Sequence, residues 1–380
     1  VDVYFETVPG YDLTVDPSKF HITAGEDPGG APLTILGVSC LGEGHVRIQT
    51  AEQTQECYWL KCDEGAVTDF VPRPNELIHK PYMAAYPLDL SNVVAEGVGW
   101  SPTPDISGVN GQSQFIVWRH YPDSHMDVGW YDIAQDASGI TPCAKWPYDL
   151  GVDGNTAVWY YEGWPEVYPA EICTQQLPTG AASLYAQSLL KPQLADGWLM
   201  YETEEDPPWV LADGLTSGGT VVLSSDASEF KERTLADGKA VLLYLDGSIE
   251  LRDLATGLHE PLSSEPRDLS NVRMDDGRVV CLEDSERILV FDLREGDPVA
   301  RELLDPTASW DRFELYGTTI VAYDSASGLW AGDLVKDPVR WKPLVLPEGY
   351  GLDDFDIYGP DIVASIGGSE EQMNVYLISP

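Results

Sequence analysis

LADGKAVLLYLDGSIELRDLATG, residues 235–257, contains two turns and a stop within 23 residues. Asp237-Gly238 opens an apolar run, Asp246-Gly247 turns it back, and alternating residues follow until Ala255-Thr256-Gly257. The apolar residues recur with period two and are rich in β-branched and aromatic types, which marks strands joined by tight hairpins. The same phrase returns as MDDGRVVCLEDSERILVFDLREG from Met274 and LYGTTIVAYDSASGLWAGDLVKD from Leu315.

The repetition extends well beyond these copies. A glycine precedes an apolar strand at Gly111, Gly154, Gly197, Gly238, Gly277, Gly317 and Gly359, with gaps of 39 to 43 residues. DLSNV also occurs twice, from Asp89 and from Asp268. Helical periodicity is scarce; Ala181–Leu190 comes nearest and fits an outer strand equally well. Four short strands per unit, repeated seven times, describe an all-β fold, a seven-bladed β-propeller. One four-stranded sheet cannot cover its own two apolar faces, and a closed ring covers both faces of every sheet.

The units resemble those of TolB-like and WD-repeat-type propellers, in which a DG turn precedes one strand and an I-x-x-x-D-L-x-T-G phrase ends the third. The likeness spans about residues 89–380 and implies the fold while leaving function open. The regular Trp-Asp dipeptide of WD repeats is absent. So is the Ser-x-Asp-x-Gly-x-x-Trp box of sialidase-type propellers, to which DSASGLW (324–330) comes near with different residues.

Residues 1–75 do not follow the period. VDVYFETV, PLTILGVSC, GHVRIQT and CYWLKCDEGAVTDFV read as strands of a small N-terminal β-unit, with VPRPNE (71–76) as a proline-stiffened linker. The alternative is an eighth, divergent blade anchored at Gly44, against which the 67-residue gap to Gly111 argues. The propeller then occupies 76–380. Its last unit ends at MNVYLISP after a third strand, so a fourth must come from elsewhere, and ELIHKPYMAAY (76–86) is the expected closing strand.

With 63 acidic against 22 basic residues, the net charge is −41. That balance disfavours nucleic acid, anionic membranes and acidic polysaccharides, and it suits a cationic partner, divalent cations or salty surroundings. No run of about 18 apolar residues is present to insert into a bilayer. The chain begins at Val1 with no charged-then-apolar leader, and six cysteines lean toward an oxidising compartment. The expectation is a secreted, periplasmic or cell-envelope protein with at least one disulfide. Cys57 can pair with Cys62 across a hairpin, or either with Cys40, while Cys281 reads as a buried thiol in a strand.

Asp132, Asp253, Asp292 and Asp333 share a position near the end of the third strand, with Gln176 in the second blade. A position shared by many blades is scaffold: such an acid hydrogen-bonds the amides of the next turn. Function is expected where the copies differ. Blades four to six have plain hairpins, whereas blades one to three carry WRHYPDSHMDVGWYD (118–132), WYYEGWPEVYP (159–169) and YETEEDPPWV (201–210). The candidate ligand-binding residues are Trp159, Tyr160, Tyr161, Trp164, Glu202, Glu204 and Trp209, aromatic faces framed by carboxylates. Of Trp159 and Tyr161, which share a strand face, one is expected in the core.

His120, Asp123, His125 and Asp127 form a candidate divalent-metal cluster, with calcium as the possible cofactor. Gly-x-Ser-x-Gly, His-Glu-x-x-His and phosphate-loop motifs are absent. The expected function is therefore non-catalytic recognition of a protein, peptide or glycan. The alternatives are a carbohydrate-active hydrolase or lyase with a pocket on the same face, and a calcium-supported scaffold.

Overall fold

The computed structural model describes the chain apart from residues 1, 5–13, 25–30, 43–44, 52–56, 64–66, 69–77, 84–85, 89, 100–101, 110–111, 122–125, 163–169, 188, 217, 264–266, 295–299, 304–309, 327, 337–338, 340, 348, 368–372 and 379–380. Two compact units emerge, Val1–Tyr86 with Trp330–Val345, and Pro87–Leu329 with Leu346–Pro380. Helix is confined, among the described residues, to two single 3-10 turns, Pro17–Lys19 and Ala227–Glu229.

Seven sheets repeat one order, first strand to fourth, with neighbours antiparallel. Blade one runs Asp105–Val109, Gln112–His120, Asp127–Asp132, Ala137–Thr141, and blade two runs Pro147–Asp153, Thr156–Tyr161, Glu171–Gln176, Ser183–Gln187. Blade three follows with Leu189–Ala195, Trp198–Thr203, Val210–Gly214, Thr220–Ser224, and blade four with Phe230–Ala236, Lys239–Tyr244, Ile249–Asp253, His259–Ser263. Blade five comprises Leu269–Asp275, Arg278–Glu283, Arg287–Asp292 and Arg301–Glu302. Blade six comprises Arg312–Tyr316, Thr319–Asp324, Gly328–Asp333 and Trp341–Val345, with Tyr86–Pro87 added as a fifth, short strand. Each first strand touches the next in turn, and the seventh, Gly351–Tyr358, touches the first, so these strands line the axis of a seven-bladed propeller.

The second strands are the most buried, as apolar runs such as Val279–Val280–Cys281–Leu282 require. Their faces form cores between blades: Val241, Leu243, Met274, Val279, Cys281 and Leu289 pack together across blades four and five. The Asp-Gly turns precede these strands, and Asp196, Asp237 and Asp276 join Gly197, Gly238 and Gly277 at positive φ, the geometry of a type I′ hairpin. These turns also bind one blade to the next. Asp153 accepts from the Gly197 N–H at 2.8 Å, Asp196 from Gly238 at 3.2 Å, and Asp237 from Gly277 at 2.7 Å; Asp275 accepts from Gly317 in the same way. The shared acids at the third-strand ends do what their position implies: Asp132, Asp253, Asp292 and Asp333 each accept from an amide of the following turn.

The closing strand is not 76–86. Val93–Gly99 pairs antiparallel with Met373–Ile378 and completes the seventh sheet. A closing strand must lead directly into the first strand of blade one, as outer strands elsewhere lead into the next blade. Val93–Gly99 stands just ahead of Asp105, whereas a strand ending at Met83 would leave a long connection. Ile78–Met83 instead pairs with Cys57–Cys62 at the edge of a sheet in the N-terminal unit, where Pro81 is tolerated. That unit has its own core of Phe20, Ile22, Val46, Ile48, Tyr58, Leu60 and Cys62. Val93, the last residue of the first DLSNV, opens the closing strand, whereas Leu269 to Val272 of the second lie within the first strand of blade five, so the shared motif serves two structural ends.

Cys57 and Cys62 lie at opposite ends of one extended strand, which rules out the hairpin pairing, one of the alternatives the sequence left open. Cys62, Cys143, Cys173 and Cys281 are free thiols, and Cys281 is buried in its strand.

The blade-to-blade carboxylate bond yields a direct test. Asp237→Ala removes the acceptor for Gly277 and places a Cβ-only residue at positive φ, so it should cost about 1–3 kcal/mol. Asp237→Asn keeps the acceptor and tolerates the conformation, and should cost under about 0.5 kcal/mol. Equal losses for both in urea titrations would show that the bond contributes nothing.

Candidate functional site

The hairpins between second and third strands share one face of the ring with the links that carry the chain from each outer strand to the next blade. On blades one to three this face is built from long segments. Tyr121, just after the second strand of blade one, meets Trp146, in the link to blade two, edge to face with centroids 6.0 Å apart. Tyr148, at the start of blade two, lies 5.8 Å from Tyr160, at the end of that blade's second strand. The hairpin of blade three is pinned by Thr203 and Trp209, whose backbones bond at 3.0 Å and whose Thr203 Oγ1 accepts from the Trp209 N–H. Glu204 of that hairpin accepts from the Ala170 N–H of blade two at 2.8 Å, fixing the second and third segments side by side.

The alternation of the strand decides which aromatic rings reach solvent. Trp159 is 0% exposed and packs with Phe115, Val117 and Val128 of blade one. Tyr161, two residues on and on the same face, is buried beside it. Neither ring offers a stacking face to a ligand; both seal the seam between blades one and two, where one of the two was expected. Glu202 is buried as well, its carboxylate held by Arg233 and by Lys191 at 3.3 Å, and it binds blade three to blade four. Tyr160 is half-buried, Glu204 is exposed, and Trp209 is 39% exposed. Trp164 lies outside the described residues.

Of the proposed metal ligands, Asp123 and His125 lie outside the described residues. Asp127 is buried and accepts from the Cys143 N–H at 2.9 Å, a bond that ties the hairpin of blade one to the link behind it. His120 stands opposite Asp127 in the strand register. Among the described residues, no three His, Cys, Asp or Glu side chains gather as metal ligands would.

Trp146 is the residue that hairpin-centred reasoning overlooks, and at 49% it is more exposed than Trp209. Its signal is KWP (145–147), an aromatic residue in an inter-blade link on the same face. The field here is negative. Burial, then Asp149, Glu162, Tyr148 and Glu202, push the Tyr160 phenol up to about 12, so it stays a neutral hydroxyl donor at physiological pH. Glu162 of blade two and Glu204, Glu205 and Asp206 of the blade-three hairpin are exposed. Lys145 is engaged by Glu171 at 2.7 Å and lies 5.9 Å from the Tyr161 ring centre. Exposed indole faces among carboxylates bind cations by combining ring quadrupole and charge.

No family model matches the chain, and no curated protein matches it by sequence. Solved structures do match. The β-propeller domain of the Trilobed protease from Pyrococcus furiosus superposes with a TM-score of 0.53 at 10% identity, covering 72% of this chain and 91% of that one. The Swd1 β-propeller domain from Myceliophteria thermophila gives 0.52 at 12% identity, covering 73% and 97%. A prolyl endopeptidase gives 0.52 at 13% identity, covering 92% of this chain and 53% of that one. Likeness at this identity establishes the propeller fold. The Pyrococcus domain has an open velcro topology, whereas here Val93–Gly99 closes the ring.

The burial pattern separates the tryptophans by role. Trp159→Ala should destabilise by about 3–5 kcal/mol, and Trp146→Ala or Trp209→Ala by under about 1 kcal/mol. Urea unfolding of the three variants checks the order, and similar losses at Trp159 and Trp209 would contradict the assignment of faces.

Proposed function

We propose that this propeller is a non-catalytic recognition module that binds a cationic segment of a protein or peptide across the aromatic, acidic face of blades one to three. The observation that carries the reading is the pair of exposed indoles, Trp146 and Trp209, on a face whose segments also carry the exposed acids Glu162, Glu204, Glu205 and Asp206. A lysine or arginine side chain gains from both the ring face and the charge, whereas an anionic ligand is repelled by a chain of net charge −41. Propellers commonly serve as rigid protein-binding discs, and the solved neighbours share this fold.

The hydrolase alternative has one observation in its favour, a carboxyl pair at the axis, Asp105 and Asp356. The two carboxyls lie close together on neighbouring axial strands, with the Ile106 N–H donating to Asp356 and Asp105 beside it. Glycosidase carboxyl pairs stand about 5–9.5 Å apart to hold the sugar bond between them. Here each carboxyl is instead spent on a backbone amide of the neighbouring blade, Asp356 on Ile106 and Asp105 on Val152, which is a structural use.

The test is an array of lysine- and arginine-containing peptides beside neutral glycans, probed with purified protein. Binding to the basic peptides should weaken with salt, and the Trp146→Ala/Trp209→Ala double variant should lose at least about tenfold in affinity. Hits confined to glycans, or peptide binding unchanged in the double variant, would refute this reading.

A further inference from the structure

The seam at which the ring closes joins blade seven to blade one. Ser113 Oγ donates to the Tyr358 carbonyl at 3.0 Å, and the Tyr358 ring covers Gly108, where a Cβ would meet its Cε1 at 2.6 Å. On the axis, the Ile106 N–H of blade one donates to Asp356 Oδ2 of blade seven at 3.0 Å. Asp105, the neighbour of Ile106, continues the line: its Oδ2 accepts from the Val152 N–H of blade two at 3.1 Å. Gly151 lies beside that oxygen, where a Cβ would stand at an ordinary contact distance of 3.5 Å. Each carboxyl thus spends an oxygen on an amide of the following blade, and the Ile106 N–H, which donates to Asp356, is also beside the Asp105 carboxyl, so the two acids lie close together on the axis.

Two carboxyls this close can bond to each other only if one keeps its proton, because two carboxylates have no hydrogen to give. The charged groups facing the pair relieve it only in part: Arg273 of blade five attracts Asp356, but Glu314 and Glu232 share that guanidinium. Glu314 of blade six adds negative charge. Arg273 of blade five is held in a two-point grip by Glu314, at 2.6 and 2.7 Å, and Arg312 of blade six is turned to Asp354 at 2.7 Å. Glu232 of blade four is committed to the Asn271 and Val272 amides at 2.8 and 3.0 Å.

We propose that Asp105 and Asp356 form a proton-dependent latch at the closure of the ring. One shared proton stitches blades seven, one and two together, and its loss brings two anions into contact and loosens the seam. Burial raises both carboxyls above the ordinary carboxylate value, and in Asp356 the charge of Asp105 adds to burial.

The direction of the pH effect follows. The folded chain holds this proton where the unfolded chain has released it, so the latch stabilises fully below the ordinary carboxylate value and fades as pH rises through the folded one. Depressed carboxylates act in the opposite sense at lower pH. Arg294 holds the Asp292 carboxyl down to about 2, and that contribution is lost only as pH falls below the ordinary value.

The test compares wild-type protein with Asp356→Asn, whose amide can accept from Ile106 and donate to Asp105 without a titrating proton. Wild-type melting temperature should fall between about pH 5.5 and pH 8.5. Asp356→Asn should flatten that slope and melt about 2–4 °C above wild type at the upper pH. Glu260→Gln, an exposed control on the outer strand of blade four for the loss of one negative charge, should leave the slope as it is. Infrared spectra of wild type at neutral pH should show the carbonyl stretch of a protonated carboxylic acid that Asp356→Asn lacks. If Asp356→Asn does not fold, Asp105→Asn makes the same comparison from the other partner. An unchanged slope, equal flattening in the control, or no protonated carboxyl in neutral wild-type protein would each overturn the latch. None of these outcomes bears on peptide binding at blades one to three.

Discussion

Everything in this propeller depends on closing the ring through hydrogen bonds between acidic side chains and the backbone amides of the next blade. A four-stranded sheet with two apolar faces is stable only when flanked, and the flanking must continue until the last sheet meets the first. The strand Val93–Gly99 supplies the covalent side of that closure, with Val98 buried against Val375 and Leu377. The carboxylates supply the non-covalent side. Asp153, Asp196, Asp237 and Asp275 form one series at the hairpin turns. Asp105, Glu232 and Asp356 form another on the axial strands. A neutral backbone donor in a blade seam needs an acceptor, and in this chain that acceptor is usually an acid.

This changes the meaning of the net charge. An excess of acids reads first as a solvated, repulsive surface. Part of it is instead internal architecture, where an acid beside another acid is tolerated by being partly desolvated and holding its proton more tightly. Asp275 shows this on a small scale: burial raises its carboxyl, the Gly317 amide opposes the shift, and Asp237 and Asp196 add to it. The exposed remainder on blades one to three is then a smaller and more specific feature, and it coincides with the indoles that escape burial.

The face of the ring that carries the long segments could be found from sequence because repeats expose their own exceptions. Plain turns in blades four to six made the insertions in blades one to three stand out. Which side chains on those segments reach solvent could not be found that way. Trp159 and Tyr160 are adjacent aromatics, yet one is sealed under blade one and the other is half-open, because adjacent strand residues face opposite neighbours. Glu202 reads as a surface acid and is a buried ion-pair partner, since Arg233, 31 residues away, arrives from the next blade. Trp146 was visible as a residue but not as a site, because its importance depends on Tyr121 folding against it.

The periodic spacing of glycines and apolar runs is local information, and it was enough to determine seven sheets, their strand order and the turns between their first two strands. Short-range sterics and hydrophobic alternation repeat with the chain, so one copy can be read from another. The closing strand, the partners of the turn aspartates and the carboxyl pair on the axis were decided only by tertiary structure. Each joins residues about 40 or more positions apart, as Asp237 joins Gly277 and Asp356 joins Ile106. Such bonds depend on how one sheet sits against the next, a geometry that no single repeat contains.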